Sequence, residues 1–125
     1  MPKILIVDDS SFQRRTIRRA LAQPDYQIIE ASNGRQAMQL VTEEAPDCIL
    51  TDLIMPDMDG LMALKAWRDA GLTIPVIVVT ADIQESTRQE CIQLGAWAFI
   101  NKPVKEDEVR KAVERALKRE RGPDA

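Results

Sequence analysis

The sequence predicts a doubly wound α/β domain, a parallel sheet with helices on both faces. Apolar runs and stripes of helical period alternate five times along the chain, the pattern of consecutive β-α units. The 125 residues hold neither a repeat nor a linker, so the five units share one core. The runs themselves, such as Ile4-Leu5-Ile6-Val7, are apolar on both faces, as strands of a covered parallel sheet must be.

Lys3–Val7 is the first strand. Ser10, with Gln13 three residues on, predicts a capping box, and Ile17, Ala20 and Leu21 give the first helix its inward face. Gln27–Ala31 is the second strand, and Asn33-Gly34 opens a helix with the stripe Ala37, Leu40 and Val41. Cys48–Asp52 is the third strand. The loop Met55-Pro56-Asp57-Met58-Asp59-Gly60 follows, then a helix with Leu61, Leu64 and Trp67 inward that Ala70-Gly71 closes. Pro75–Thr80 is the fourth strand, and the fourth helix runs from about Ile83 to Leu94, with Gly95 as its stop. Trp97–Asn101 is the fifth strand. The last helix carries Glu106, Asp107 and Glu108 in its first turn and Lys118, Arg119 and Arg121 near its end, both suited to the helix dipole. Residues 1–120 form the domain and residues 121–125 a short disordered tail.

Composition narrows the chemistry. Hydrophobic content of 45% and charged content of 30% are those of a soluble globular domain, and no apolar run approaches a span of roughly 20 residues. The chain enters a strand directly after Met1-Pro2, which predicts no secretory signal and a cytoplasmic location. A net charge of -3 argues against sequence-independent nucleic-acid binding. With no histidine, the chain cannot build a Ser-His-Asp nucleophile or a His-based zinc site. Cys48 and Cys91 read as small buried hydrophobes rather than a disulfide.

Strands of a parallel sheet end on one shared edge, where ligands of such folds bind. The first strand ends in Asp8-Asp9, the third in Asp52, the fourth in Thr80, and the fifth runs into Asn101-Lys102-Pro103. Clustered carboxylates repel unless a cation sits among them, and Mg²⁺ suits all-oxygen ligands with retained waters. An ionised carboxylate is also a nucleophile toward phosphorus, and a lysine and hydroxyl opposite it complete a phosphoryl-transfer site.

The motifs "ILIVDDS", "ILTDLIMPDMDG", "VIVVTA" and "FINKPV" occur in that order. Together they resemble the receiver domain of two-component response regulators, the CheY-like family, from Lys3 to about Leu117. The resemblance implies a flavodoxin-like fold with strand order 2-1-3-4-5. It implies that Asp52 accepts the phosphoryl group and that Asp9, Asp8, Asp52 and the Ile54 carbonyl bind Mg²⁺. Thr80 and Lys102 would hold phosphoryl oxygens, Pro103 would follow a cis peptide, and Thr80 and Phe99 would act as the switch. The phosphoryl donor would be a sensor histidine kinase or a phosphotransfer protein. The fourth helix, fifth strand and fifth helix would then be reshaped for a downstream protein, with the domain a monomer or a weak phosphorylation-dependent dimer. The resemblance implies a signalling phosphoacceptor that assists its own phosphorylation and dephosphorylation rather than an enzyme.

Further expectations follow from single residues. Trp97 shares parity with Phe99, so either its fluorescence reports phosphorylation or it packs statically under a helix. Ile54 and Asp82 lie two residues after Asp52 and Thr80, where the family tunes dephosphorylation; aliphatic Ile54 predicts a slow-to-moderate rate. Arg14-Arg15 and Arg18-Arg19 form a solvated face, a docking face for an acidic partner or a phosphate-binding patch, the solvated face being the commonest of these. A rival hydrolase of the haloacid dehalogenase group would need Asp-x-Asp on the first strand, and here the two aspartates are adjacent. A flavodoxin-like cofactor binder would need a hydroxyl-rich phosphate loop, which Asp8-Asp9 opposes.

Overall fold

A computed structural model of the chain describes residues 1–22 and 25–119, so the tail expected at 121–125 and Arg121 lie outside the described residues. The strands are β1 (Lys3–Val7), β2 (Gln27–Ala31), β3 (Cys48–Thr51), β4 (Val76–Thr80) and β5 (Ala98–Asn101). The helices are α1 (Ser11–Ala20), α2 (Gly34–Glu44), α3 (Gly60–Asp69), α4 (Glu85–Gln93) and α5 (Glu106–Leu117). All strand pairs are parallel and the sheet runs β2-β1-β3-β4-β5, as the motifs imply. The wholly buried strands β3 and β4 take interior positions, whereas β2, with its polar Gln27 and Glu30, lies at an edge. That placement keeps polar side chains on the strand that can reach water.

Side-chain alternation divides the interior in two. On one face Leu5, Val7, Ile49 and Val78 meet Ala37 and Val41 of α2, Leu64 and Trp67 of α3, and Cys91 of α4. On the other, Ile4, Ile6, Leu50, Ile77 and Val79 meet Ile17 and Ala20 of α1 and Val109, Val113 and Ala116 of α5. Cys48 and Cys91 therefore lie in different cores, both unpaired, and burial pushes their thiols up to about 12 and about 11. They act as small apolar residues.

The element ends show where local chemistry shifts the expected boundaries. Ser10 caps α1 by accepting from the Gln13 amide at 3.2 Å. The reciprocal half of the capping box is absent, because the Ser10 amide donates to Asp8 Oδ1 at 2.9 Å instead. Pro75 has no N–H to give the ladder, and β4 begins one residue later. α4 starts at Glu85 rather than Ile83, since the Asp82 carboxylate accepts from the Gln84 amide and the Thr87 hydroxyl and holds the intervening turn. Gly71 and Gly95 have φ of 76° and 98°, and each follows its helix with the paired carbonyl bonds of a Schellman turn. Arg119 donates to the Thr73 carbonyl at 2.6 Å, two residues beyond the end of α5.

One expectation fails. Trp97 precedes β5 rather than belonging to it, and it packs with Ala98, Val104 and Ala112 on the α1/α5 side. Phe99 packs on the opposite face, with the α2–α4 core. The pleat's period of two begins only at Ala98, so shared parity does not carry Trp97 to the Phe99 side.

Candidate functional site

β1 and β3 are neighbours, and each is followed by carboxylates at the same sheet edge. Asp8, Asp9 and Asp52 each present an oxygen, and these oxygens all lie within 4.8 Å of one another. Asp8 and Asp52 are buried while Asp9 is exposed. Two like charges about 4 Å apart repel by about 4 kcal/mol at an effective dielectric of about 20, so the cluster needs cations. Lys102 supplies one: its Nζ lies 3.0 Å from Asp8 Oδ2 and 3.1 Å from Asp52 Oδ2. Burial works against the Lys102 charge, but hydrogen bonds to Asp8 and Asp52 outweigh it and hold the ammonium above its usual pKa. One ammonium against three carboxylates leaves net negative charge at the notch. Its all-oxygen donors, two of them buried, suit a hard divalent cation such as Mg²⁺.

Backbone contacts set each carboxylate. The Asp8 amide donates to Ala31 O at 3.1 Å, and the Asp52 amide still donates to Val7 O at 3.0 Å although β3 ends at Thr51. Asp52 Oδ1 accepts from the Leu53 amide at 2.7 Å, with the Ile54 amide more distant at 3.4 Å. That leaves Asp52 Oδ2 facing Lys102. The Thr51 hydroxyl donates to the Asp52 carbonyl at 3.0 Å. Gly60 then closes the loop, its amide donating to Leu53 O at 2.7 Å. A Cβ on Gly60 would lie 2.5 Å from Leu53 Cα and 2.8 Å from Asp52 O, so only glycine lets the helix start this near Asp52.

The remaining expected residues fall around this notch. Thr80 is fully buried at the end of β4, and its Oγ1 accepts from the Asp82 amide at 3.2 Å, leaving its hydroxyl proton for another acceptor. Its carbonyl accepts from the Lys102 amide at 2.7 Å, which joins the hydroxyl and the ammonium through one peptide contact. The Lys102-Pro103 peptide is cis. Phe99 is half-buried and pairs with Val78, two residues before Thr80. Ile54 points its side chain outward, 73% exposed.

Two contributors, Asp57 and Arg14, make contacts that a reading of the sequence misses. Asp57 reaches across to α2 and accepts from the Gly34 and Arg35 amides, both at 2.9 Å. Arg14 donates to the Asp8 carbonyl at 2.7 Å and to Glu30 Oε1 at 2.9 Å. Half of the basic run on α1 is thus engaged, with Arg18 also on Glu30, while Arg15 and Arg19 are exposed. The Arg14/Arg18 spacing was a visible signal, but its partner on β2 is a long-range contact that no local pattern encodes.

Residues 4–114 match the family model of the response regulator receiver domain. The chain is 40% identical to sporulation initiation phosphotransferase F of Bacillus subtilis, over 92% of this chain and 93% of that protein. It is also 40% identical to the regulatory protein AtoC of Escherichia coli, but over only 25% of that longer protein. Among solved structures, the signal receiver domain of a LuxO repressor protein from Vibrio parahaemolyticus superposes with a TM-score of 0.91 at 30% identity, covering 94% of this chain and 91% of that one. Acidic notch, buried hydroxyl and bridging lysine stand where the four motifs put them, and the chain belongs to the response regulator receiver domain family.

Proposed function

We propose that Asp52 accepts a phosphoryl group from the phosphohistidine of a sensor histidine kinase or phosphotransfer protein, in a Mg²⁺-dependent reaction. The observation that carries this reading is the position of Lys102 Nζ between Asp8 and Asp52, beside the exposed Asp9. With Oδ1 tied to the Leu53 amide, Oδ2 of Asp52 is the oxygen that attacks phosphorus. The new O–P bond forms as the N–P bond to the donor imidazole breaks. Lys102 stays with the phosphoryl oxygens and offsets their charge, while the Thr80 hydroxyl donates its proton to another of them. Bound through Asp8, Asp9, Asp52 and the Ile54 carbonyl, Mg²⁺ would supply further charge neutralisation. These 125 residues contain no histidine, which fits a donor group outside this domain.

Thr80 moving toward the phosphoryl group would open space beside β4 for Phe99, and the α4–β5–α5 surface would change for a downstream protein. Asp82, two residues after Thr80, already has both carboxylate oxygens engaged by Gln84 and Thr87. Aliphatic Ile54 offers an attacking water no hydrogen bond. Slow-to-moderate self-dephosphorylation follows, and a phosphorylated lifetime of seconds would contradict it. No helix among the described residues is long and apolar enough to cross a membrane, which suits the cytoplasmic location of this reading.

Acetyl phosphate with Mg²⁺ tests the whole assignment. Intact mass should rise by one phosphoryl group, and Asp52→Ala should abolish the rise while leaving the fold unchanged by circular dichroism. Equal labelling of the Ala variant would place the acceptor elsewhere.

A further inference from the structure

β2 grips the end of β1 from both sides of Asp8. On one side the Asp8 amide donates to Ala31 O at 3.1 Å. On the other, the Asp8 carbonyl accepts from Arg14 Nη1 at 2.7 Å, and Arg14 Nε is fixed 2.9 Å from Oε1 of Glu30, the residue before Ala31. The second Glu30 oxygen is held by Arg18 Nη1 at 2.6 Å, so the carboxylate that anchors Arg14 has both of its oxygens occupied. The Arg14 side chain is only 17% exposed. Its planar fork meets two acceptors at once, which a single ammonium on a flexible stem cannot reproduce.

The carbonyl that Arg14 holds belongs to the peptide joining Asp8 to Asp9. Asp8 has other restraints, since its carboxylate is bonded by the Ser10 amide and by Lys102. Among the described residues no hydrogen bond or ion pair holds the exposed Asp9 carboxylate. With no partner on the side chain, the backbone alone fixes the point from which this carboxylate reaches into the notch.

We propose that Arg14, anchored on Glu30, is a positioning residue for divalent-cation binding: by fixing the Asp8–Asp9 peptide it sets the point from which the Asp9 carboxylate reaches the ion. The inference rests on the metal-binding reading given above. Outer contacts that orient metal ligands commonly change affinity tenfold or more when lost. Mg²⁺ demands near-ideal octahedral geometry, while Ca²⁺ accepts irregular coordination. A positional fault therefore penalises Mg²⁺ more than Ca²⁺, whereas a change of nearby charge moves both ions together.

Isothermal titration with Mg²⁺ and with Ca²⁺ separates these effects on the intact chain. Arg14→Lys keeps the charge and removes the fork. It should weaken Mg²⁺ binding by about tenfold and Ca²⁺ binding by about threefold or less. A Mg²⁺ affinity within about twofold of the parent, or an equal loss for both ions, overturns the proposal. Should Arg14→Lys fail to fold, Glu30→Gln keeps the guanidinium and loosens its anchor; it should give a smaller loss that is again selective for Mg²⁺, and no such loss also overturns the proposal. Asp9→Asn distinguishes the deeper failure. If the parent binds no Mg²⁺, or binds it as well with Asn at position 9, the metal reading itself is wrong, whatever Arg14 does.

Discussion

Two loops flank Asp52, and they are held in place by different means. The loop from β3 to α3 is braced by backbone and by elements outside itself. Gly60 lies against Leu53, the Asp57 carboxylate grips two amides of α2, and Met58 packs on Gly34 with no room for a Cβ between them. The loop from β4 to α4 is held by a few side-chain hydrogen bonds. Asp82 donates its amide to Thr80, accepts from Gln84 and Thr87, and takes the Asn101 amide on its carbonyl at 2.9 Å, while Ile83 stands 81% exposed. The loop that carries Asp52, the proposed nucleophile, is thus fixed by close approach, which is stiff. The loop that follows Thr80, the proposed switch residue, is fixed by partly solvated hydrogen bonds, each worth about 1 kcal/mol. On the proposed function, the contrast places rigidity where a reacting oxygen would be aimed and compliance beside a hydroxyl that would travel.

The comparison breaks most visibly at Gly60. Gly60→Ala drives a methyl into Leu53 Cα and two carbonyls, at 2.5, 2.8 and 2.9 Å, and none of these is a flexible side chain. A loss of about 3 kcal/mol and a fall of about 10 °C in the unfolding midpoint are expected. Phosphorylation by acetyl phosphate should slow as well, because Asp52 is displaced with Leu53. An unchanged midpoint would mean that the loop yields easily, and the claimed stiffness would be lost. Asp82→Ala should cost less, about 1 kcal/mol, as the loss of a helix-initiating carboxylate does. Hydrogen exchange should quicken at the amides of residues 84–88 and stay unchanged around Leu53. Spread of that quickening into the β3–α3 loop would show that the two loops do not move independently.

This division marks how far the sequence can be read. β1 and β2 lie at the expected residues, and β3, β4 and β5 differ by one residue at one end, because five apolar runs and their caps are local patterns. Asp8, Asp9, Asp52 and Lys102 meet because strand ends share an edge, a consequence of topology that spacing alone suffices to anticipate. Asp57 and Arg14 were not legible as they act on elements 22 or more residues away in one case and across a helix–strand interface in the other. Trp97 failed for a different reason. Period-two alternation was extended one residue beyond the strand, where the chain is not pleated, and a one-residue slip exchanges the faces.

The finest prediction concerns the charge at Asp57. The amides of Arg35 and Gly34 donate to the carboxylate and hold its pKa below the usual value of 3.8. A carboxyl depressed in the folded state contributes stability that is present in full above the unfolded pKa and is lost as pH falls through the folded one. The urea midpoints of the parent and Asp57→Ala should therefore differ by a constant amount above the usual carboxylate range and converge as pH falls below it. Because the side chain is exposed, added salt should narrow the gap at neutral pH. A gap that persists unchanged into acid would assign the contact to shape rather than charge. A gap that widened there would reverse the sign of the linkage, and the tie between the β3–α3 loop and α2 would have to be sought in Met58 and Gly34 instead.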